Sequence, residues 1–158
     1  MVHAKDVLAN QLLAGANDPS WHLPFMQAAQ GVTEEQAFWK PAAGLFSIAE
    51  LTQHLLYWNQ TWQTRFREGH VNAVPRIASN DASFIVPAEI AYAELRDRLL
   101  EVLLQWHPLL SEERLEAEVD GFPEPARWWE IISNVVTHNA YHIGQIVLVR
   151  KLYQALPR

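Results

Sequence analysis

The chain has 158 residues, 49% of them hydrophobic and 19% charged, so it can bury a sizeable core and is not an intrinsically disordered protein. Its net charge of −6 and the lack of any run of Lys or Arg argue against nucleic acid and anionic membrane as partners, because both need a basic face. It contains no cysteine, which excludes disulfides, iron–sulfur clusters, cysteine-ligated zinc and a cysteine nucleophile. Thiol chemistry would therefore need a thiol supplied by a ligand.

The N-terminal segment MVHAKDVLANQLLAG carries Asp6 and has no long apolar centre, so it does not follow the pattern of a signal peptide. No stretch reaches the apolar run of ~18 residues that a membrane-spanning helix needs. We therefore expect a cytoplasmic protein that forms one domain over residues 1–158.

The first third of the chain predicts three short helical pieces. Residues 2–14 have helical apolar spacing, and Asn17-Asp18-Pro19 interrupts it. A second piece follows over 20–30. Thr33 and Gln36 have the spacing of a capping box, which opens a short helix that ends before Pro41.

A longer helix is predicted to begin at Ser47. Ser47 and Glu50 form a second capping box, and the helix should run to about Phe66 or Arg67 and end near Gly69. His54 shares the inward face of this helix. The apolar members of that face are Leu51, Leu55, Trp58 and Trp62.

Residues 69–86 are polar and predict a long crossover connection. A further helix is expected to start near Pro87, a residue suited to a first helical turn, and to end at Pro108. Residues 110–119 are compatible with a partial helix or with a short extended piece. A loop rich in Gly and Pro then leads to the last helix.

The last helix, predicted over 128–152, organises the chain. One face repeats at steps of three and four and is expected to point into a bundle. The residues of this face are Ile131, Val135, His138, His142, Gln145, Val149 and Leu152. The last helix and the helices before it together predict an all-α fold: a four-helix bundle with a long crossover connection.

Two histidines on this face suggest a metal site, because burying an imidazole is costly unless a partner satisfies it. His138 and His142 lie one turn apart, which suits two ligands on one ion. The residue after His138 is Asn139, so the glutamate base of an HExxH metalloprotease is missing. With His54 from another helix, three imidazoles would leave a coordination position open.

The alternative is that these histidines pack in the core without a metal. That interpretation is favoured for a lone histidine on an apolar face, whereas three inward histidines on two helices favour a metal. The other histidines are interpreted as solvent-facing or helix-end residues. They are His3, His22, His70 and His107.

Three segments resemble the DinB/YfiT-like family of metal-dependent proteins. HNAYHIGQI, from His138 to Ile146, resembles the family's C-terminal motif, and FSIAELTQHL, from Phe46 to Leu55, resembles its second-helix motif. TEEQAFWKP, residues 33–41, is similar to the stretch before that helix. The resemblance implies a four-helix bundle with a metal bound by His54, His138 and His142. Many members carry aspartate where this chain has Asn139.

The resemblance implies several activities rather than one. Some members are thiol S-transferases that use bacillithiol or mycothiol, and related members are maleylpyruvate isomerases or glutathione-dependent enzymes. The leading hypothesis is an enzyme that transfers a low-molecular-weight thiol to a small electrophilic substrate. A hydrolase is the other enzymatic hypothesis. The alternative is a non-catalytic, metal- or small-ligand-binding stress-response protein. The three histidines do not choose among zinc, nickel, iron, manganese, cobalt and copper.

Further residues near these motifs are candidates for supporting the site. Gln145 lies one turn beyond His142 and could bond a histidine ring or a ligand, while Tyr141 either bonds another helix or packs. Glu50 could orient His54, although its capping box already explains it. Gly144 in mid-helix indicates a close approach by a helix or a second subunit.

A second apolar side of the last helix predicts a homodimer, because a helix that is apolar nearly all round is buried on more than one side. The residues of this side are Ile132, Val136, Ala140, Ile143 and Val147.

Overall fold

The computed structural model describes residues 2–157, and within them every regular element is a helix. Two isolated bridges, His70 with Asp120 and Glu118 with Arg127, are the only extended pairings in this range. The all-α prediction is confirmed. The helices are α1 (Ala4–Ala16), α2 (Phe25–Ala28), α3 (Glu34–Phe38), α4 (Ile48–Glu68), α5 (Tyr92–Leu109), α6 (Glu112–Glu116) and α7 (Trp128–Gln154).

Four long helices form the bundle. α1 packs on α5 and α7, and α4 packs on the same two helices from the other side. The connection between α4 and α5 is the predicted crossover, and it contains two 3-10 helices, Val71–Ala73 and Asn80–Phe84. None of the helices between residues 2 and 157 is both long enough and apolar enough to cross a bilayer.

The N-terminus of α4 is set by the capping box that the sequence predicts. Ser47 Oγ accepts a hydrogen bond from Glu50 N at 3.2 Å, and Glu50 Oε2 accepts one from Ser47 N at 2.8 Å. The helix ends at Gly69, whose φ of 87° is the left-handed conformation that glycine adopts without a steric penalty. His54 is therefore held two turns inside a helix with both ends fixed.

The predicted start of α5 near Pro87 is wrong by about a turn. Residues 87–90 form a turn, with Ile90 N bonded to Pro87 O at 3.2 Å, and the helix begins at Tyr92. Glu34 Oε2 on α3 accepts a bond from Tyr92 N at 2.9 Å and so caps α5 from a distant part of the chain. α5 ends at Leu109, one residue beyond the end predicted at Pro108.

α7 is buried over a wider arc than the predicted face. Ile131, Val135 and Val149 are buried as expected, but Leu152 at the end of that face is 42% exposed. The second apolar side is partly covered by the same chain: Ile132 and Ile143 are buried where α1 and α2 pack, Val136 and Val147 are half-buried, and Ala140 is exposed. Ile132 and Ile143 are therefore not available to a second subunit, and the homodimer stays a prediction.

Gly144 is exposed, and an added Cβ there would meet no atom within 4 Å among the described residues. The expected close approach by another helix of the chain is therefore wrong.

Candidate metal centre

The structure brings together the three histidines singled out in the sequence. His54 comes from α4, and His138 and His142 come from consecutive turns of α7. One ring nitrogen from each lies within 4.8 Å of the others, and the Nε2 atoms of His54 and His138 are 3.0 Å apart. The cluster contains no carboxylate from the described residues.

His54 is held from two directions by consecutive residues of the crossover. Its Nδ1 lies 2.6 Å from Ser83 Oγ, and Ser83 in turn donates to Asn80 O at 2.5 Å. Since the serine hydrogen is committed to the Asn80 carbonyl, Ser83 Oγ accepts from His54, so the proton is on Nδ1 and the lone pair on Nε2. Phe84 stacks on the His54 ring, with centroids 3.9 Å apart and planes 10° apart.

His142 has an equivalent partner on its own helix. Its Nδ1 lies 2.6 Å from Gln145 Oε1, and an amide oxygen accepts only, so Nδ1 carries the proton and Nε2 is free to bind. His138 is half-buried, whereas His54 and His142 are 2% and 8% exposed. The cluster is therefore most open on the His138 side.

Burial favours the uncharged form of all three imidazoles. Burial, followed by the neighbouring His142 and His138, lowers the pKa of His54 from 6.5 to about 3. Burial and His142 lower the pKa of His138 to about 4, and burial also lowers the pKa of His142. Neutral imidazole is the form that binds a metal ion.

These residues fit a metal ion. With metal–nitrogen bonds of about 2.0–2.1 Å, neighbouring nitrogens in a tetrahedral site lie roughly 3.3 Å apart, close to the 3.0 Å between His54 and His138. Ser83 leaves His54 Nε2 as an acceptor, so that contact needs either a proton on His138 Nε2 or a shared cation. The cluster can hold a metal ion, and it resembles open sites with three protein ligands.

The other candidate residues near the cluster have separate roles. Tyr141 is 63% exposed and packs edge-on against His142, with ring centroids 4.9 Å apart. Glu50 uses one carboxylate oxygen in the capping box and the other in a 2.7 Å ion pair with Lys40. Of the candidates weighed in the sequence, Gln145 alone bonds a histidine of the cluster.

Asn139 takes part in a buried network instead of the cluster. Its amide bonds the amide of Asn59 in both directions, at 2.8 and 3.1 Å, and Asn59 Oδ1 also accepts from Trp106 Nε1 at 2.7 Å. This network joins α4, α5 and α7, and Asn139 is the residue directly after His138. An amide at position 139 is thus matched to an amide at position 59.

Two residues at the centre were missed in the sequence. Ser83 and Phe84 lie in a segment that was interpreted only as a polar connection. Asn80 and Asp81 are typical turn residues, and Ser83 and Phe84 follow them in the chain. This pattern indicates a turn that carries a buried aromatic side chain. That signal shows a packed turn, but it does not show which helix the turn packs against.

Comparison with known proteins gives the fold and the family that the sequence motifs resemble. The model of the DinB superfamily matches residues 24–146. A crystal structure of a DinB-like protein from Bacillus subtilis, YjoA, superposes with a TM-score of 0.70 over 96% of this chain and 94% of that chain, at 16% identity. No curated protein matches the chain. The chain belongs to the DinB superfamily.

Proposed function

We propose that this protein is a metal-dependent enzyme that transfers a low-molecular-weight thiol to a small electrophilic substrate. The observation that carries the proposal is the convergence of three imidazoles, two of which have their Nδ1 atoms hydrogen-bonded to Ser83 and Gln145. No carboxylate of the described residues completes the set, so a coordination position is left for a ligand.

His54, His138 and His142 would hold the ion, and Ser83 and Gln145 would keep two of the rings oriented toward it. When bound, the ion would supply Lewis acidity, which lowers the pKa of a thiol or a water. Phe84 stacks on the His54 ring and Trp58 lies edge-on to it. These two aromatic side chains help to keep the His54 ring buried from water. The chain has no cysteine, so the reacting thiol must come from a bound small molecule.

The test is a transfer assay with 1-chloro-2,4-dinitrobenzene and glutathione, bacillithiol or mycothiol, on protein loaded with zinc, nickel, iron or manganese. In this reaction a carbon–sulfur bond forms, the carbon–chlorine bond breaks, chloride leaves and the thiol proton passes to solvent. We expect turnover that requires metal and is lost in His142→Ala. The matched control is His107→Ala, an exposed histidine outside the cluster.

One observation favours a second candidate, a non-catalytic metal or small-ligand binder. Within the described residues, the cluster contains no carboxylate that could act as a general acid or base beside the three imidazoles. Tight metal binding without turnover for any thiol, or for an ester in a hydrolase assay, would support the binder and contradict the transferase.

We also propose a homodimer formed through the exposed strip of α7, which consists of Tyr141, Gly144, Leu148 and Leu152. Tyr141 is 63%, Leu148 56% and Leu152 42% exposed, and the exposed Lys151 lies on the same side of the helix. Leu148→Arg should convert a dimer to a monomer in sedimentation velocity, whereas Ile85→Arg, at a residue 69% exposed on the crossover, should not. A wild-type monomer at high concentration would contradict the dimer.

A further inference from the structure

We infer that the cleft between α1 and α7 is a second ligand site, separate from the histidine cluster, and that it takes an uncharged planar heteroaromatic molecule with an amide-like edge. The cleft encloses about 430 Å³. That volume lies within the range of roughly 300–1,000 Å³ of small-molecule pockets. This site goes beyond the proposed function and does not depend on it.

The cleft lies on the far side of α7 from the metal centre. Val136 and Ala140 line it, and both project from the side of the helix opposite His138. The other wall is the second half of α1, where the small residues Ala14 and Gly15 leave room. A ligand here would not touch the histidines.

The base of the cleft is rigid and polar. Asn139 is 3% exposed, lines the cleft, and is fixed by its paired hydrogen bonds to Asn59 at 2.8 and 3.1 Å. Because both of its polar groups are already satisfied, the base contributes shape rather than a free donor. A base of this kind keeps its form when a ligand enters.

The rim carries two exposed side-chain amides. Asn10 and Gln11 line the cleft from α1, and neither side chain makes a hydrogen bond with any described residue. Each amide provides donors and an acceptor side by side, which matches the donor and acceptor pair of an amide or lactam edge.

The indole ring of Trp21 gives the cleft a flat surface on which a planar ligand can stack. It lines the same cleft and is 80% exposed, an unusual state for the largest apolar side chain. An exposed indole at the edge of a concave site gains apolar burial and ring stacking when a planar molecule covers it. This favours a planar aromatic ring over a saturated one.

The lining indicates that the ligand has no charge. The chain has 12 Lys and Arg and 18 Asp and Glu, yet none of those between residues 2 and 157 lines the cleft, where His22 is the one titratable residue in that range. A charged ligand would lose hydration there without meeting an opposite charge. A neutral ring loses little hydration free energy and can still stack on Trp21.

Nicotinamide is the probe for the test, with two matched molecules as controls. Nicotinate keeps the ring but carries a charge, and cyclohexanecarboxamide keeps the amide but is not planar. The measurement is a titration of the metal-free full chain followed by NMR, using the side-chain amide signals of Asn10 and Gln11 and the indole signal of Trp21. We expect nicotinamide to shift these signals and both controls to bind at least tenfold more weakly.

Three variants locate the site. Trp21→Ala should weaken nicotinamide binding at least fivefold, whereas Trp129→Ala, at another partly exposed tryptophan on α7, should leave it unchanged. Ala140→Leu, at an exposed position, should block the cleft. The inference is overturned if nicotinamide causes no shifts, if it shifts His142 and Tyr141 instead, if Trp21→Ala binds as well as the wild type, or if nicotinate binds equally well.

Discussion

At the scale of single residues, Ser83 decides which nitrogen of His54 faces the cluster. It accepts from Nδ1 at 2.6 Å and donates to Asn80 O at 2.5 Å, so it cannot serve as a donor to the ring. Ser83→Ala removes this constraint, and we expect metal affinity to fall about tenfold, the effect typical of losing a residue that orients a ligand. Calorimetric titration with zinc measures the change.

Two further variants separate orientation from general damage to the fold. Ser83→Thr keeps the hydroxyl and should restore most of the affinity. Ser133→Ala alters a half-buried serine of α7 outside the cluster and should have no effect. Equal affinity in Ser83→Ala and the wild type would show that His54 needs no such partner.

The lowered pKa values of the histidines predict acid sensitivity of the metal-free protein. The pKa of His54 is about 3 and that of His138 about 4 in the folded chain, against 6.5 for an ordinary histidine. Between these values the unfolded chain binds more protons than the folded one. The free energy of unfolding should therefore decrease as the pH falls from about 6.5 toward 4, and these groups should have no effect above that range.

Urea denaturation at several pH values measures this dependence. His54→Gln removes the group with the lowest pKa, and its stability should decrease less on acidification. A wild-type stability that stays constant below about pH 6 would contradict the buried, uncharged state of these rings.

At the scale of helices, local sequence predicted some boundaries and tertiary contacts set others. The start of α4 was predictable, because Ser47 and Glu50 bond within four residues of each other. The start of α5 was not, because its cap comes from Glu34, which is 58 residues from Tyr92 in the chain. The burial of Ile132 and Ile143 on the second apolar side of α7 was likewise not predictable from local sequence, because α1 and α2 pack there.

The network of Asn59 joins three helices and predicts a large loss of stability on truncation. Asn59→Ala leaves Trp106 Nε1 and the amide of Asn139 without partners in the core. We expect the free energy of unfolding to fall by about 2 kcal/mol, the cost of buried polar groups left unsatisfied. Urea denaturation tests this, with the exposed Asn134→Ala as the control that should change stability by less than about 0.5 kcal/mol.

At the scale of the whole molecule, a metal at the cluster would link α4 to α7. The contact between His54 and His138 joins residues 84 apart in the chain, so metal binding favours the folded state alone. Zinc at 100 times its dissociation constant should raise the free energy of unfolding by about 2.7 kcal/mol. The gain should be absent in His142→Ala and present in His107→Ala, and an equal gain in both variants would place the ion elsewhere.

The histidines of the centre were predictable, whereas the residues that orient His54 were not. Helical spacing alone put His54, His138 and His142 on inward faces, because that spacing depends only on helix geometry. Ser83 lies 29 residues from His54, on a connection whose path is set by packing and not by any periodic pattern. Gln145 was predictable as a candidate because it lies three residues from His142.

The unequal spacing of the three histidines has a consequence for the order of assembly. His138 and His142 become neighbours as soon as one turn of α7 forms, but His54 reaches them only after the chain has closed a loop of 84 residues. An ion added before refolding would therefore bind first to His138 and His142 on α7, and His54 would become its third ligand last. Such an ion would favour early formation of α7, and refolding would follow a different route from loading of the finished protein.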